Sequence, residues 1–200
     1  RATQDKPPLH LQTLLATLDK VRCGRDPSEV MILDHGCGGG LTLLYLLALG
    51  YTGIHGVDVG EPREMWAPLL DEVFGIDDGR FHVYSGGDLP FADESFDFIF
   101  SQQVLEHVTD RFIDTYYVEE GRVLRPGGMV FHEVPHRLYP YDSHTRTWFI
   151  HMLPKPLRRI LYRLTGNDPD YVEAMLHLRM TSFHRRMLRQ HIGPFTDHTL

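Results

Sequence analysis

Leu9, Leu11, Leu14, Leu15, Leu18 and Val21 recur at helical spacing and predict an amphipathic helix over residues 9–22, which the CGRDPSE stretch ends. Beyond it the period changes. Short apolar runs at 30–33, 53–57, 81–84, 96–100 and 129–134 predict five strands, the fourth with the unbroken apolar character of a strand buried on both faces. Between them, LTLLYLLALG reads as a helix stopping at Gly50, EPREMWAPLLDEVFG as a helix with Pro62 in its first turn, and residues 110–124 as a third. RPGG, with Pro126 ending that helix, turns the chain into the fifth strand. Strands alternating with helices predict an α/β fold: a mostly parallel sheet with right-handed crossovers and helices on both faces.

Composition narrows the class. Two hundred residues, 42% of them hydrophobic, suffice for one sizeable core and are read as a single domain. No run reaches the roughly 20 apolar residues of a membrane span, and RATQDKPPLH lacks a signal-peptide core, so the chain is expected to be soluble and cytoplasmic. Cys23 and Cys37 give neither a disulfide framework nor a zinc spacing. A net charge of −7 disfavours general nucleic-acid binding. The charge is uneven: residues 136–200 carry ten Lys/Arg against five Asp/Glu, a local +5 that leaves −12 for residues 1–135.

The first strand leads into Asp34, His35, Gly36, Cys37, Gly38, Gly39 and Gly40. Glycines two apart let a backbone turn sharply and let a ligand lie against it. The dinucleotide fingerprint would need glycine where Leu41 stands, so a nicotinamide cofactor fits less well. Asp58 ends the second strand about twenty residues on, where a carboxylate meets the ribose of a nucleoside held at the first turn. Capping of the following helix is its alternative role.

Taken in order, ILDHGCGGG, GVDVG, LPFADESFDFIFSQQVLEHV and RVLRPGGMVF resemble the successive motifs of class I S-adenosylmethionine-dependent methyltransferases, in particular the type 11 group. The resemblance covers residues 28–135 and implies a Rossmann-like methyltransferase fold with S-adenosyl-L-methionine as cofactor. It places Asp34, Gly36, Cys37, Gly38 and Gly40 around the cofactor's methionine moiety and ribose, and Asp58 with Val59 at the ribose. Asp88 and Leu89 fall near the adenine loop, and Ser101, Gln102 and Gln103, following the fourth strand, near the methionine end. Glu106 and His107 in VLEHV match a scaffold feature of that family; a direct catalytic role is the lesser reading.

A sulfonium methyl is already activated, so the enzyme's main tasks are alignment and exclusion of water, with a base needed for a hydroxyl acceptor. Candidate bases lie in HEVPHRLYPYDSHTRTWF: His132, Glu133, Asp142 and, foremost, His136 and His144, with Tyr139, Tyr141 and Trp148 as walls of a substrate site. Structural roles compete for each of these singly. No HExxH pattern is present, and no metal site is expected. Leu153, Leu157, Ile160, Leu161 and Leu164 mark one helical face among Lys155, Arg158, Arg159 and Arg163, expected to pack as a lid, with docking on an anionic membrane surface as the alternative.

The expected layout is one methyltransferase domain over 1–200: a helix at 9–22, a cofactor-binding core at 28–135 and a helical acceptor-side lid at 136–192. The sequence after Ile192 is too short for the two further strands of the complete sheet, so either a truncated chain or a missing terminal hairpin is expected. The expected partner is a small-molecule acceptor, a sugar-containing or other polar metabolite methylated on oxygen, with no nucleic acid. A noncatalytic cofactor-binding module is the competing class.

Overall fold

The computed structural model describes residues 7–60 and 78–194. The helix expected in EPREMWAPLLDEVFG lies outside them. The chain forms two compact units, one of residues 1–102 and 118–133, the other of residues 103–117 and 134–200.

In the first unit, helix α1 (Leu9–Arg22) precedes β1 (Ile32–His35), α2 (Leu41–Ala48), β2 (Ile54–Asp58), β3 (Phe81–Val83) and β4 (Phe96–Gln102). Helix α3 (Ile113–Val123), which belongs to this unit from Val118 onward, leads into β5 (Leu124–Glu133). The five strands are parallel in the order β3-β2-β1-β4-β5. The order reverses between β1 and β4, and open α/β sheets bind ligands at the carboxyl edge of such a switch.

Side chains of successive strand residues point to opposite faces. Ile32, Ile54, Phe98 and Phe100 pack with Leu11, Leu14 and Leu18 of α1 and with Leu43, Leu46 and Leu47 of α2. Leu33, Val57 and Ile99 form the other core with Leu89 and Val123. Each fully buried leucine contributes about 1.5–3 kcal/mol through removal from water, so the leucine periodicity of α1 is what attaches it to the sheet.

Three boundaries differ from the apolar pattern. Strand β1 runs on to His35 because Asp34 and His35 continue in register with Gly56 and Val57. Strand β4 includes Ser101 and Gln102, which do not follow the strand but pair with His132 and Glu133. Strand β5 begins at Leu124, and the RPGG stretch is an irregularity inside it: the register jumps from Phe96↔Leu124 to Phe98↔Met129. Gly127 has φ +80°, and a Cβ on Gly128 would meet Leu124 Cδ1 at 2.8 Å and the Asp97 carbonyl at 3.0 Å. Glycine is needed there for a bulge.

The second unit packs Leu105, Ile113, Tyr116 and Tyr117 against Met187, Phe183 and Leu188 of helix α6 (Thr181–His191). It also holds a short antiparallel hairpin, β6 (Tyr141–Asp142) with β7 (Thr147–Trp148), followed by α4 (Lys155–Leu164) and α5 (Pro169–Met175). Only part of the leucine face expected of α4 packs. Leu157, Ile160 and Leu164 are 46%, 55% and 76% exposed, while Tyr162 is buried. Leu161 and Tyr162 pack with Ile150 and with Val172 of α5, and ion pairs flank this contact: Arg159 pairs with Asp170 at 2.6 Å and Glu173 at 2.9 Å, and Lys155 with Glu173 at 3.0 Å. The basic residues of this helix are thus largely paired within their own unit. No helix among the described residues is long and apolar enough to cross a membrane.

Candidate active site

The turn after β1 is held by β2. The N–H groups of Gly36 and Cys37 donate to the Val57 carbonyl at 2.8 and 3.1 Å, and Asp58 Oδ2 accepts from the Gly38 N–H at 2.8 Å. Gly36, Gly38 and Gly40 all have positive φ, a conformation that glycine adopts without Cβ strain. A Cβ at Gly38 would meet none of the described residues within 4 Å, whereas one at Gly40 would lie 2.5 Å from the Phe81 ring. Open space therefore lies on the turn at Gly38, beside the Asp58 carboxylate. Gly40 caps α2 without a side-chain hydrogen bond, leaving the positively polarised helix end at the turn.

Asp58 Oδ1 also accepts from the Gly60 N–H at 2.9 Å. Each oxygen retains acceptor capacity beyond its backbone bond. Val59 beside it is exposed. Asp34, buried on β1, has its carboxyl pushed up to about 8, by burial first and then by the charge of Asp58. Cys37 is half-buried, with its thiol pushed up by burial and by the two carboxylates; it packs against Gly56, where a Cβ would stand 2.8 Å from its sulfur.

Leu89 sits in the core, its N–H donating to Glu119 Oε2 at 2.8 Å and its carbonyl accepting from Arg122 at 3.1 Å; Asp88 beside it is exposed. Ser101 is fully buried at the end of β4, and its hydroxyl has no hydrogen-bond partner among the described residues. Gln102 donates to Glu133 at 3.1 Å. Gln103, exposed with φ +56°, begins the second unit.

A buried network lies on the α3 face of the sheet. Glu120 accepts from His35 Nδ1 at 3.0 Å and from His132 Nε2 at 2.8 Å, and His35 Nε2 meets the Tyr84 hydroxyl at 2.9 Å. Burial alone would raise the Glu120 carboxyl; His132 and then His35 outweigh it and hold the group at about 2. His132 is thereby a partner of Glu120. Sequence reasoning singled out neither His35, Tyr84 nor Glu120, because the network joins β1, the segment after β3, α3 and β5.

In the second unit, His136 Nδ1 accepts the Leu138 N–H at 3.1 Å, which uses the lone pair a neutral imidazole needs to act as a base. His144 is set differently. Its Nδ1 lies 3.2 Å from Asp142 Oδ1, and its Nε2 lies 3.7 Å from Glu106 Oε1. Asp142 also accepts from the Thr145 hydroxyl at 2.6 Å, closing the hairpin turn. Tyr141 and Trp148 face each other across the hairpin with ring centroids 5.1 Å apart. Tyr139 and Trp148 are each 63% exposed. Glu106, left by sequence reasoning as scaffold, is buried with neither carboxylate oxygen hydrogen-bonded among the described residues.

Residues 33–132, half of the chain, match the family model described as a methyltransferase domain of type 11. A ubiquinone biosynthesis O-methyltransferase from Mesorhizobium japonicum is 38% identical over 116 residues, which cover 55% of this chain and 45% of that protein. The chain thus spans about half the length of the curated relatives it matches. Among solved structures, an S-adenosylmethionine-dependent methyltransferase from Mesorhizobium loti shares the fold with a TM-score of 0.54 at 20% identity, covering 88% of this chain and 79% of that one. A geranyl diphosphate methyltransferase in complex with S-adenosylmethionine gives a TM-score of 0.55 at 16% identity, covering 90% and 63%. With the switch-point glycine turn and its carboxylate, these matches assign the chain to the class I S-adenosylmethionine-dependent methyltransferase family, type 11.

Proposed function

We propose that the chain transfers a methyl group from S-adenosylmethionine to a hydroxyl oxygen of a small-molecule acceptor. The observation that carries this reading is the Asp58 carboxylate fixed to the Gly38 N–H beside open space on the turn. That arrangement fits a ribose: the backbone can be approached closely at Gly38, and the carboxylate has acceptor sites left for ribose hydroxyls. Asp34 would offset the cofactor's positive charge, and the N-terminus of α2 would face its carboxylate. When bound, the cofactor supplies a methyl group already activated on sulfonium.

The hydroxyl acceptor is supported by the relatives' printed activity, O-methylation in ubiquinone biosynthesis. Ubiquinone is a methoxylated ring with an apolar tail, and the second unit exposes Leu138, Tyr139, Trp148, Phe149, Leu157, Ile160 and Leu164. Together these favour a hydroxylated ring with apolar substituents over a sugar. Tyr139, Tyr141 and Trp148 are the residues we assign to its recognition. We do not assign the hydroxyl proton to His136, whose lone pair the Leu138 N–H occupies.

Incubation with methyl-labelled cofactor and a panel of catechols, hydroxylated prenyl-benzenes, sugars and amines tests this. Label on a hydroxylated ring supports the reading. Transfer only to sugars or amines contradicts the acceptor class, and cofactor binding without transfer to any acceptor favours a binding module.

A further inference from the structure

Glu106, His107 and His144 bring one carboxylate and two imidazoles together within the second unit, with one potential ligand atom from each lying within 4.8 Å of the others. Their hydrogen bonds orient them. His107 Nδ1 lies 2.9 Å from the Met175 carbonyl, which can only accept, so Nδ1 carries the proton and the neutral ring's lone pair is on Nε2. His144 Nδ1 donates to the Asp142 carboxylate at 3.2 Å, which likewise leaves its lone pair on Nε2. Both Nε2 atoms face the same oxygen, Glu106 Oε1, at 4.0 and 3.7 Å. These separations are too long for hydrogen bonds.

With both rings neutral and Glu106 ionised, three electron-pair donors converge. The Glu106 side chain is 1% exposed, and neither of its oxygens has a hydrogen-bond partner among the described residues. Leaving a carboxylate so placed is costly unless a charge or a metal meets it. The rings are arranged as metal-binding histidines usually are, one nitrogen inward and the other donating to a carbonyl or carboxylate that fixes its orientation. The segment carrying Glu106 and His107 is itself clamped, since Arg179 donates to the Leu105 carbonyl at 3.0 Å and the Val108 carbonyl at 2.8 Å, and the His177 N–H donates to the Glu106 carbonyl at 2.6 Å. His107 is 38% exposed at its side chain, which gives an ion a way in.

We propose that Glu106, His107 and His144 form a site for a divalent transition-metal ion, with two nitrogen ligands and one oxygen ligand. This donor set suits Zn²⁺ and its first-row neighbours better than Mg²⁺, which prefers oxygen ligands. Tetrahedral zinc with bonds of about 2.0–2.2 Å sets its donors about 3.3 Å apart, so the cluster contracts by up to roughly 1.5 Å on binding. Three protein ligands leave a position open to water or to an oxygen ligand. The ion ties the segment after β4 to the turn of the hairpin that carries Tyr141 and Trp148. The site is independent of the methyl-transfer reading, because occupancy is measured without cofactor or acceptor.

The test is titration of the full chain, stripped with chelator, first with ZnCl₂ by calorimetry and then with CoCl₂, whose visible spectrum reports nitrogen and oxygen ligation. The expected result is one equivalent of Zn²⁺ bound, a Co²⁺ band, and affinity lowered at least about ten-fold in each of His107→Ala, His144→Ala and Glu106→Gln. MgCl₂ produces no comparable heat. Circular dichroism identifies any variant that fails to fold, and the wild-type titration alone decides if all three fail. Absence of stoichiometric Zn²⁺ and Co²⁺ binding to wild type overturns the proposal. So does unchanged affinity in folded His107→Ala or His144→Ala, which would place the ion elsewhere.

Discussion

Glu120 of α3 accepts a hydrogen bond from His132 Nε2 of β5 at 2.8 Å, with both side chains buried or nearly so. The other Glu120 oxygen meets His35 of β1, so one carboxylate joins two strands flanking β4 to the helix above them. Its depressed pKa has a defined consequence. A carboxyl near 4.3 when unfolded and about 2 when folded contributes stability that is fully present above the unfolded value and lost as pH falls through about 2. Acid titration of the folded chain should show this loss between about pH 4.5 and 2. Glu120→Ala should cost about 3–5 kcal/mol at neutral pH by leaving the histidines without their buried partner. A loss below 1 kcal/mol in urea unfolding contradicts this role.

Asp34 titrates in the opposite sense. Its folded pKa of about 8 lies above the unfolded value of about 3.9, so its contribution to stability is present below pH 4 and is lost as pH rises toward 8. Asp34→Asn should flatten that part of the profile. A cofactor bearing positive charge would lower the Asp34 pKa, so binding at pH 7 should release a proton. Calorimetry in buffers of different ionisation enthalpy measures the release, and its persistence in Asp34→Asn would rule out this residue as the source.

Gly40→Ala combines two penalties. Its φ of +74° strains any L side chain, and the new Cβ meets the Phe81 ring at 2.5 Å. The strain alone is about 1–3 kcal/mol. Thermal unfolding should fall by roughly 2–4 °C per kcal/mol for a chain of this size. An unchanged midpoint would mean that the turn relaxes freely.

Trp148→Ala removes an exposed ring whose cross-strand pairing with Tyr141 is worth about 1 kcal/mol or less. If the hairpin recognises the acceptor, KM for acceptor rises while cofactor Kd stays the same. An unchanged KM removes Trp148 from the recognition surface.

The alternating pattern made α1, α2 and the five-stranded parallel sheet legible from sequence, because each element buries one periodic face. The glycine turn and Asp58 were legible because they are joined by a single β-α-β unit. The RPGG bulge was not, since an irregular register leaves no period. Nor was the exposure of Leu157, Ile160 and Leu164: a leucine face marks where a helix could pack, but here Leu161 and Tyr162 are what meet Ile150 and Val172, flanked by the pairs to Asp170 and Glu173. The convergence of the Glu120 network, and of His144 with Glu106 and His107, was not legible either. His35, Tyr84 and Glu120 lie far apart along the chain, as does His144 from the adjacent Glu106 and His107, with spacings that carry no motif.

The pairing of Asp58 with the glycine turn is what holds the cofactor in this reading, and cofactor calorimetry tests it most directly. S-adenosylmethionine and its demethylated product should bind one to one to the wild-type chain, and Asp58→Ala should weaken both by at least ten-fold, about 1.4 kcal/mol, while the variant remains folded. Wild-type affinity in folded Asp58→Ala, or clear NADH binding with none for either sulfur compound, would contradict it.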